Sequence, residues 1–277
     1  MTPWNSNTWA RELANRAAPI RHRLFTGLVA GLLWLALGAG CGHLGSGSAA
    51  ESRTLRIGTV ADSPPLAFRD QRQWAGLEID LGRALAERLG MRPVFVALTP
   101  EDRIPALLSG RVDILMAGMP INQENRTRID FATPYLVTGQ SALVRRSDGM
   151  KYNTLAKLRR VPARIAVVDG SAADPLVTRY FPRARRMTFP TRAKAAAAIY
   201  HAQADVFIHD GPAVWWTAWQ YPDTLAAAPV LFAREEIAWG FRPGSVLLRE
   251  SANRALAEWQ RDGTLEAILR RWLPISH

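Results

Sequence analysis

Cysteine is almost absent from this sequence, whose 277 residues include a single one, Cys41. One thiol cannot close an intrachain disulfide, so a fold stabilised by disulfides is excluded. The five histidines are spread along the chain and show no metal-ligand spacing. The sequence also contains no phosphate-binding glycine loop and no recognisable Ser/His/Asp arrangement. We therefore predict no metal, no cofactor and no catalytic residue.

Blocks of like charge are missing as well. The chain has 35 Lys and Arg against 24 Asp and Glu, a formal net charge of +11, but no run of five or six like charges. A nucleic-acid-binding surface would be expected to concentrate its basic residues. We predict no nucleic-acid partner and interpret the basic excess as solvated surface charge. A hydrophobic content of 48% and a charged content of 21% are typical of a globular protein.

The first 40 residues have the pattern of a secretory signal peptide. Four arginines precede an apolar run at 24–37, and small residues follow at 38–40. The apolar run is shorter than the roughly 20 residues that a membrane-spanning helix prefers. Secretory signals combine a basic region, an apolar core and a small-residue cleavage site in this order. We predict a signal peptide over residues 1–40, with an uncleaved anchor as the alternative.

Cys41 follows these small residues directly and resembles the lipidated cysteine of the bacterial lipobox. Gly38 departs from that pattern, because a larger aliphatic residue is usual there. The resemblance implies that Cys41 carries a lipid and that residues 41–53, rich in Gly and Ser, form a flexible tether. We then expect an extracytoplasmic protein anchored to the membrane through Cys41. Plain signal cleavage, the alternative, would leave it soluble in the periplasm.

Strands and helices alternate from residue 55 onwards, which favours mainly parallel sheets covered by helices. Strands are predicted at 55–60, 94–98, 112–116, 142–144, 165–168, 187–189, 205–208 and 235–241. Helices are predicted at 77–89, 102–109, 174–180, 191–202, 246–257 and 265–272, with a further helix after Pro212. In the first of these, Leu77, Leu81, Leu85 and Leu89 recur every four residues, which predicts an apolar stripe on one face. Asn122 and Thr191 are predicted to be helix N-caps. Residues 63–65 are predicted to form an exit loop after the first strand.

These elements form two similar sets, which predicts two lobes. The fold class is α/β, each lobe a mainly parallel sheet with flanking helices, with two hinge crossings near 143–146 and 234–238. We assign 54–144 and 238–277 to lobe 1, and 145–237 to lobe 2. A cleft between two lobes is a common place for a ligand.

Six segments carry a resemblance to a known family. They are LRIGT, GLEIDLGRALAERLG, RIPALLSGRVDILMAGM, IDFATPY, EEIAWGFRPGS and RDGTLEAILRRW. In this order, from Leu55 to Leu273, the chain resembles the family 3 extracytoplasmic solute-binding proteins, the polar amino-acid receptors of ABC importers. The resemblance implies a two-lobe fold of the type II periplasmic-binding-protein kind, which closes on its ligand by hinge bending.

The function that this resemblance implies is that of a receptor and not of an enzyme. We expect a monomer that delivers a small polar or cationic solute, amino-acid-like compounds included, to an ABC permease in the inner membrane. Two alternatives are an accessory or regulatory periplasmic module acting through a partner protein, and a cyclohexadienyl dehydratase-like enzyme. For the enzyme, Asp62, Glu124 or Asp210 would be the general acid.

The resemblance does not extend to the segment that grips the solute. Family amino-acid receptors read close to G-x-T-x-T-x-E-R after the third strand, and the arginine binds the α-carboxylate as a two-pronged donor. Here the segment starts at Gly118, Pro120 replaces the first threonine, and Asn125 stands at the arginine position. Arg126 lies one place later, about 100° away on a helix. Either a local shift brings Arg126 into the cleft, or Arg126 is a solvated surface charge.

The resemblance still implies a set of pocket positions. The predicted ligand-binding residues are Asp62, Phe68, Gly118, Met119, Asn125, Arg126, Ser171 and Asp210. Asp62 would substitute for an acid of the first loop, and Ser171 retains a hydroxyl of the second-lobe loop.

Asp210 matches the family aspartate that accepts hydrogen bonds from the ligand ammonium. Its alternative role is the N-cap of the helix that begins at Gly211-Pro212. We interpret His209 as a packed or capping histidine. We interpret Trp215 and Trp219, which share a helical face, as core residues, with a platform for a cationic ligand as the alternative.

Overall fold

The computed structural model describes residues 53–273. The predicted signal peptide (1–40), Cys41 and the tether up to residue 52 lie outside the described residues. The strands are β1 (Thr54–Thr59), β2 (Asp62–Ser63), β3 (Ala67–Asp70), β4 (Gln73–Ala75), β5 (Arg92–Ala97), β6 (Ile114–Leu115), β7 (Asp130–Phe131), β8 (Leu136–Arg145), β9 (Arg164–Val168), β10 (Arg185–Phe189), β11 (Val206–Asp210), β12 (Leu225–Ala227), β13 (Phe232–Ile237) and β14 (Gly240–Phe241). The helices are α1 (Leu77–Arg88), α2 (Arg103–Leu108), α3 (Gln123–Arg126), α4 (Leu155–Arg160), α5 (Ala173–Tyr180), α6 (Arg192–Tyr200), α7 (Gly211–Gln220), α8 (Val246–Asp262) and α9 (Thr264–Trp272), with a 3₁₀ helix at Arg146–Lys151.

The first sheet has the strand order β5-β1-β6-β14-β7. β1 lies parallel to both β5 and β6, and β14 lies antiparallel to β6 and β7. Helix α1 buries Leu77, Leu81 and Leu85, the apolar stripe predicted from its four-residue repeat. Gly82 on the same helix permits close packing, because a Cβ there would lie 2.9 Å from the Cδ1 of Ile57.

The second sheet has the strand order β10-β9-β11-β8-β12, with β13 also paired to β8. β9 is parallel to β10 and β11, whereas β8 is antiparallel to β11, β12 and β13. Its core strands are apolar on both faces, as in the fully buried run Val206, Phe207 and Ile208 of β11. Such continuous runs are expected where both faces of a sheet are covered.

The strands β2, β3 and β4, which lie between β1 and β5 in the sequence, form a small antiparallel sheet in the order β2-β3-β4. The prediction of a loop at 63–65 is therefore wrong at Ser63, because this residue ends β2 and pairs with Ala67 of β3. Strands of two to four residues are too short to show alternation of polar and apolar residues, so β2, β3 and β4 could not be predicted from periodicity. The predicted single strand at 235–241 is likewise two strands, β13 and β14.

The predicted α/β fold with two sheet-based lobes is confirmed, but one crossing is in a different place. All of β8 belongs to the second sheet, so the chain crosses at 132–135, between β7 and β8, and not near 143–146. The second crossing lies at 238–239, at the end of the predicted segment. The proposed lobe limits, 54–144 with 238–277 and 145–237, stay a prediction. None of the helices between residues 53 and 273 combines the length and apolarity needed to cross a bilayer.

Candidate functional site

Asp210 lies at the carboxyl end of β11, where the strand leaves the second sheet. Its side chain is 60% exposed, and its Oδ1 accepts a 2.6 Å hydrogen bond from the side-chain amide of Gln140. Gln140 is the register partner of Asp210 on β8, so both side chains project from the same face. The side chain of Asp210 makes no capping hydrogen bond to α7, so the N-cap interpretation is wrong for its carboxylate.

His209, the neighbour of Asp210, is held against the sheet. Its Nδ1 accepts a hydrogen bond from the backbone N–H of Asp210 at 2.7 Å, and its ring lies 5.4 Å from that of Phe207. Burial lowers the pKa of His209, although the Asp210 carboxylate acts in the opposite direction. A neutral, packed histidine fits these contacts, as the sequence predicted.

Arg192 was not predicted as a site residue, yet it reaches the same region. It is the first residue of α6, directly after Thr191, whose side chain caps the helix as predicted. Its Nη1 lies 3.4 Å from the backbone carbonyl of Pro64, which belongs to the turn between β2 and β3. Burial lowers the pKa of Arg192, while the charges of Asp62 and Asp210 raise it. A cation carried by α6, on the side of the second sheet, is therefore influenced by Asp62 of β2 and by Asp210 of β11.

Two of the predicted ligand-binding residues, Asp62 and Phe68, lie in β2 and β3. Asp62 is exposed and is the register partner of Phe68. Phe68 is only 3% exposed, and its ring lies 6.2 Å from Trp216 and 5.9 Å from Trp272. Phe68 thus joins an aromatic cluster between β3, α7 and α9, and the charge of the exposed Asp62 acts on Arg192. Of the two tryptophans predicted to lie in the core, Trp215 is 8% exposed and packs there, whereas Trp219 is only partly buried, with its ring 5.1 Å from that of Trp216.

The loop after β6 places Gly118 and Met119 against buried groups. The backbone N–H of Gly118 donates a 2.8 Å hydrogen bond to the Oε1 of Glu78. Gly118 has a φ of +60°, and a Cβ there would lie 2.7 Å from the Cδ1 of Leu66. Met119 is 3% exposed and packs into a small apolar cluster. The N–H of Gly118 is therefore directed to the protein interior.

Glu78 is a buried carboxylate that sequence analysis missed. Its Oε1 also accepts a 2.5 Å hydrogen bond from the hydroxyl of Tyr135, and its Oε2 accepts one of 3.1 Å from the indole of Trp239. Burial raises its pKa, and the hydrogen bonds from Tyr135, Gly118 and Trp239 act in the opposite direction. Tyr135 and Trp239 lie on the two crossings, so one carboxylate connects both crossings to the loop at Gly118.

Asn125 and Arg126 lie next to each other on α3 but line different surfaces. The side chain of Asn122 caps this helix, as predicted, by accepting from the N–H of Asn125. The Asn125 amide donates to the carbonyl of Pro120 at 2.9 Å, beside a cavity of about 300 Å³. Arg126 lines a separate depression with Glu236. The structure does not bring Arg126 to the cavity of Asn125.

Arg103, a second arginine that sequence analysis missed, lines the same cavity as Asn125. Its Nε donates to the carbonyl of Pro100 at 3.1 Å, and its Nη1 lies 3.4 Å from that of Ala117. Burial lowers the pKa of Arg103, and the nearby Glu101 raises it.

Ser171 lies in the loop after β9. Its Oγ is buried and has no hydrogen-bond partner among residues 53–273. An unmatched buried hydroxyl of this kind can donate to or accept from a ligand.

Glu235 adds a further acid to the charged region. Glu235 lies on β13 and is the register partner of Thr138 on β8. Thr138 lies two residues before Gln140, so these side chains share a face. Burial raises the pKa of Glu235, and the charge of Asp210 raises it further. Within residues 53–273, no group of three His, Cys, Asp or Glu is arranged to hold a metal ion. The region is suited to polar and charged organic groups.

Comparison with known proteins gives these features a context. The sequence model described as "Bacterial extracellular solute-binding proteins, family 3" matches residues 55–275. The chain belongs to this family.

Two relatives and one solved structure show the range within this solute-binding family. The L-cystine-binding protein TcyJ of Escherichia coli is 26% identical over 80% of this chain and 83% of its own length. The cyclohexadienyl dehydratase of Pseudomonas aeruginosa is 25% identical over 82% of this chain and 87% of its own. The structure of the ancestral cationic amino acid solute-binding protein AncCDT-1 superposes with a TM-score of 0.75, at 32% identity, over 79% of this chain and 95% of its own.

These findings confirm the predicted family and the predicted class of function. The protein is a solute-binding receptor of the kind that serves ABC amino-acid importers. Membership of an extracellular solute-binding family implies a location outside the cytoplasm. Relatives of this solute-binding protein include proteins named as binding proteins and the Pseudomonas aeruginosa protein named as an enzyme.

Proposed function

We propose that this solute-binding protein captures a small cationic or polar, amino-acid-like solute between its two sheets and presents it to an ABC permease of the inner membrane. The observation that carries the proposal is the exposed carboxylate of Asp210, oriented by Gln140 at 2.6 Å. A carboxylate that is fixed in direction and open to solvent suits an ammonium or guanidinium group. Asp62 supplies a second acid from the other side of the cleft.

The names of the relatives support a solute of this class. They include receptors for cystine, glutamine and arginine, and a structural neighbour named for cationic amino acids. All of these solutes carry an ammonium group. We infer that the solute of this protein shares that group, since Asp210 provides its counter-charge.

The crossings between the sheets support a closing movement. Glu78 holds Tyr135 and Trp239, one on each crossing, and also the loop at Gly118. We infer that the lobes move about these two crossings and that Glu78 keeps their first-sheet ends fixed. Hinge closure around a bound solute is a common movement of two-lobe receptors.

The proposal includes a membrane anchor. We propose that residues 1–40 are removed, that Cys41 is lipidated and that the receptor acts as a monomer on a short tether. A lipidated receptor stays near its permease, which raises its local concentration. The support for this part is the sequence pattern alone.

A thermal-shift screen tests the receptor function. The folded protein, residues 41–277, is heated with a panel of amino acids, amines, organic acids and small peptides. We expect one or more amines or amino acids to raise the unfolding temperature by several degrees, because a ligand at a hundred times its Kd adds about 2.7 kcal/mol. A folded protein that no member of the panel stabilises would contradict the proposal.

One set of contacts favours a dehydratase as a second candidate. Arg192 provides a cation for an anionic substrate, and burial raises the pKa of Glu235, as a general acid requires. We infer a receptor and not an enzyme, because the exposed carboxylates of Asp210 and Asp62 suit a cationic solute and would repel an anionic substrate. Incubation with prephenate tests this directly, and product formation that Glu235→Gln abolishes would establish the enzyme instead.

A further inference from the structure

The Arg192 guanidinium lies in the charged region without an ion pair. Among residues 53–273, no carboxylate lies within 4.0 Å of it. Its one hydrogen bond, to the carbonyl of Pro64, is long at 3.4 Å. Most of its five N–H donors are therefore unused by the described residues, although the side chain is partly buried.

The position of Arg192 places these donors between acids of both lobes. α6 belongs to the second-sheet side, whereas Pro64 lies two residues after Asp62 on the first-sheet side. The charges of Asp62 and Asp210 both act on Arg192. Three acids (Asp62, Asp210 and Glu235) and one base leave this cluster with a net negative charge, which favours a ligand of net positive charge.

A guanidinium has the geometry to bind a carboxylate with two parallel hydrogen bonds. On the first-sheet side, Asn125 occupies the place of the family arginine, and its amide is engaged with the carbonyl of Pro120. Arg126 lines a different depression. Two arginines, Arg103 and the exposed Arg128, line the cavity beside Asn125. Arg103 already donates to the carbonyls of Pro100 and Ala117, and Glu101 is the acid that acts on it.

We propose that Arg192 binds the carboxylate of the solute from the second-sheet side, while Asp210 and Asp62 bind its cationic groups. The ligand is then a cationic α-amino acid whose carboxylate is bound from the side of the second sheet. In the family's usual arrangement, an arginine on the side of the first sheet binds that carboxylate. This assignment rests on the proposed receptor function and names the group that recognises the carboxylate.

Pairs of ligands that differ by a carboxylate test the assignment. Isothermal titration compares L-arginine with agmatine, L-lysine with cadaverine, and L-cystine with cystamine, on wild-type protein and four variants. The variants are Arg192→Gln, Arg192→Lys, Arg103→Gln and the control Lys194→Gln. Lys194 is exposed on the same helix, and its side chain has no hydrogen bond or ion pair among the described residues.

We expect Arg192→Gln to weaken binding of the amino acid by roughly 10- to 100-fold, the effect of losing a charged hydrogen bond. Binding of the matching amine should stay within about threefold, which also shows that the variant is folded. Arg192→Lys should restore part of the loss. Lys194→Gln should bind both ligands like the wild type.

Three outcomes would overturn the assignment while leaving the receptor function intact. In the first, Arg192→Gln weakens both ligands of a pair equally, as a structural role predicts. In the second, it tightens both, which would show that Arg192 competes with the ligand's cationic group. In the third, Arg103→Gln weakens binding of the amino acid but not of the matching amine, and Arg192→Gln has no such effect. A wild-type protein that binds none of the three amino acids, nor any other member of the thermal-shift panel, would instead overturn the receptor function, and this assignment with it.

Discussion

The side-chain amide of Gln140 donates a 2.6 Å hydrogen bond to the carboxylate of Asp210, its register partner on the neighbouring strand. Gln140 is only 3% exposed, whereas the Asp210 side chain is 60% exposed. A buried donor therefore fixes the direction of an exposed acid. We expect this hydrogen bond to matter more for the affinity for the solute than for the free energy of unfolding.

Replacing Gln140 by Leu should separate these two properties. The Gln140 Oε1 is buried without a hydrogen-bond partner among the described residues, so an apolar side chain of similar volume relieves that cost. We expect the free energy of unfolding to stay within about 1 kcal/mol of wild type. Solute affinity should fall roughly five- to tenfold, because Asp210 loses its orienting donor. Urea unfolding and isothermal titration measure the two quantities, with Gln203→Leu, in an exposed loop, as control. Unchanged affinity would show that Gln140 does not orient the acid.

Glu78→Ala should destabilise the protein strongly. It leaves the donors of Gly118, Tyr135 and Trp239 buried without an acceptor, and unmatched buried donors cost about 1–3 kcal/mol each. We expect a loss of about 3 kcal/mol or more in the free energy of unfolding, measured by denaturant titration. Glu87→Ala, on the exposed side of the same helix, is the matched control. If both variants unfold alike, Glu78 does not support the crossings.

Asp205 should make stability depend on acid pH. It accepts hydrogen bonds from Arg164 at 2.8 Å and from Arg145 at 3.2 Å, and these hold the pKa of Asp205 well below its ordinary 3.8. A lowered folded-state pKa gives stability that is present above the ordinary value and is lost as the pH falls towards the folded-state value. We expect Asp205→Asn to lose about 1–2 kcal/mol at neutral pH, between the values for exposed and buried pairs. The difference in the free energy of unfolding between wild type and Asp205→Asn should become smaller below about pH 3.8.

Urea midpoints measured between pH 7 and pH 2.5 test this dependence. Asp223→Asn, which removes an exposed carboxylate without a hydrogen bond or ion pair among the described residues, is the control. If the difference in the free energy of unfolding between wild type and Asp205→Asn stays constant or grows on acidification, the arginines do not stabilise the charged form of Asp205.

Much of the fold could be predicted from local patterns. The four-residue repeat of leucines in α1 and the caps at Asn122 and Thr191 depend on short-range geometry, and they agree with the structure. β8 was predicted too short, because Thr138 and Gln140 are polar residues that tertiary pairing buries. Burial of polar residues is decided by neighbouring strands, which a single sequence does not show.

The candidate site was harder to predict than the fold. Asp210 was predicted because it matches the family aspartate that accepts hydrogen bonds from the ligand ammonium. Arg192 and Glu78 lie on helices that are distant in sequence from Pro64, Tyr135 and Trp239, which they contact. No local spacing connects these residues, so only the folded chain brings them together.

Cys41 gives a prediction about the mature protein. Expressed with its leader, the wild-type protein should carry a mass increase from lipid and should partition into the detergent phase. Cys41→Ser should lack that mass and partition into the aqueous phase, since its hydroxyl does not replace the thiol in lipidation. Intact-mass spectrometry and detergent partition are the measurements. Equal partition of both proteins would favour plain signal cleavage.

Asp210→Asn tests the central claim, that this carboxylate binds the cationic group of the solute. Wild type, Asp210→Asn and the control Asp223→Asn are titrated calorimetrically with the solute that stabilises wild type most in the thermal-shift screen. We expect one-to-one binding to wild type and to the control, and an affinity roughly 10- to 100-fold lower for Asp210→Asn at unchanged unfolding temperature. Equal affinity of Asp210→Asn and wild type would contradict the account.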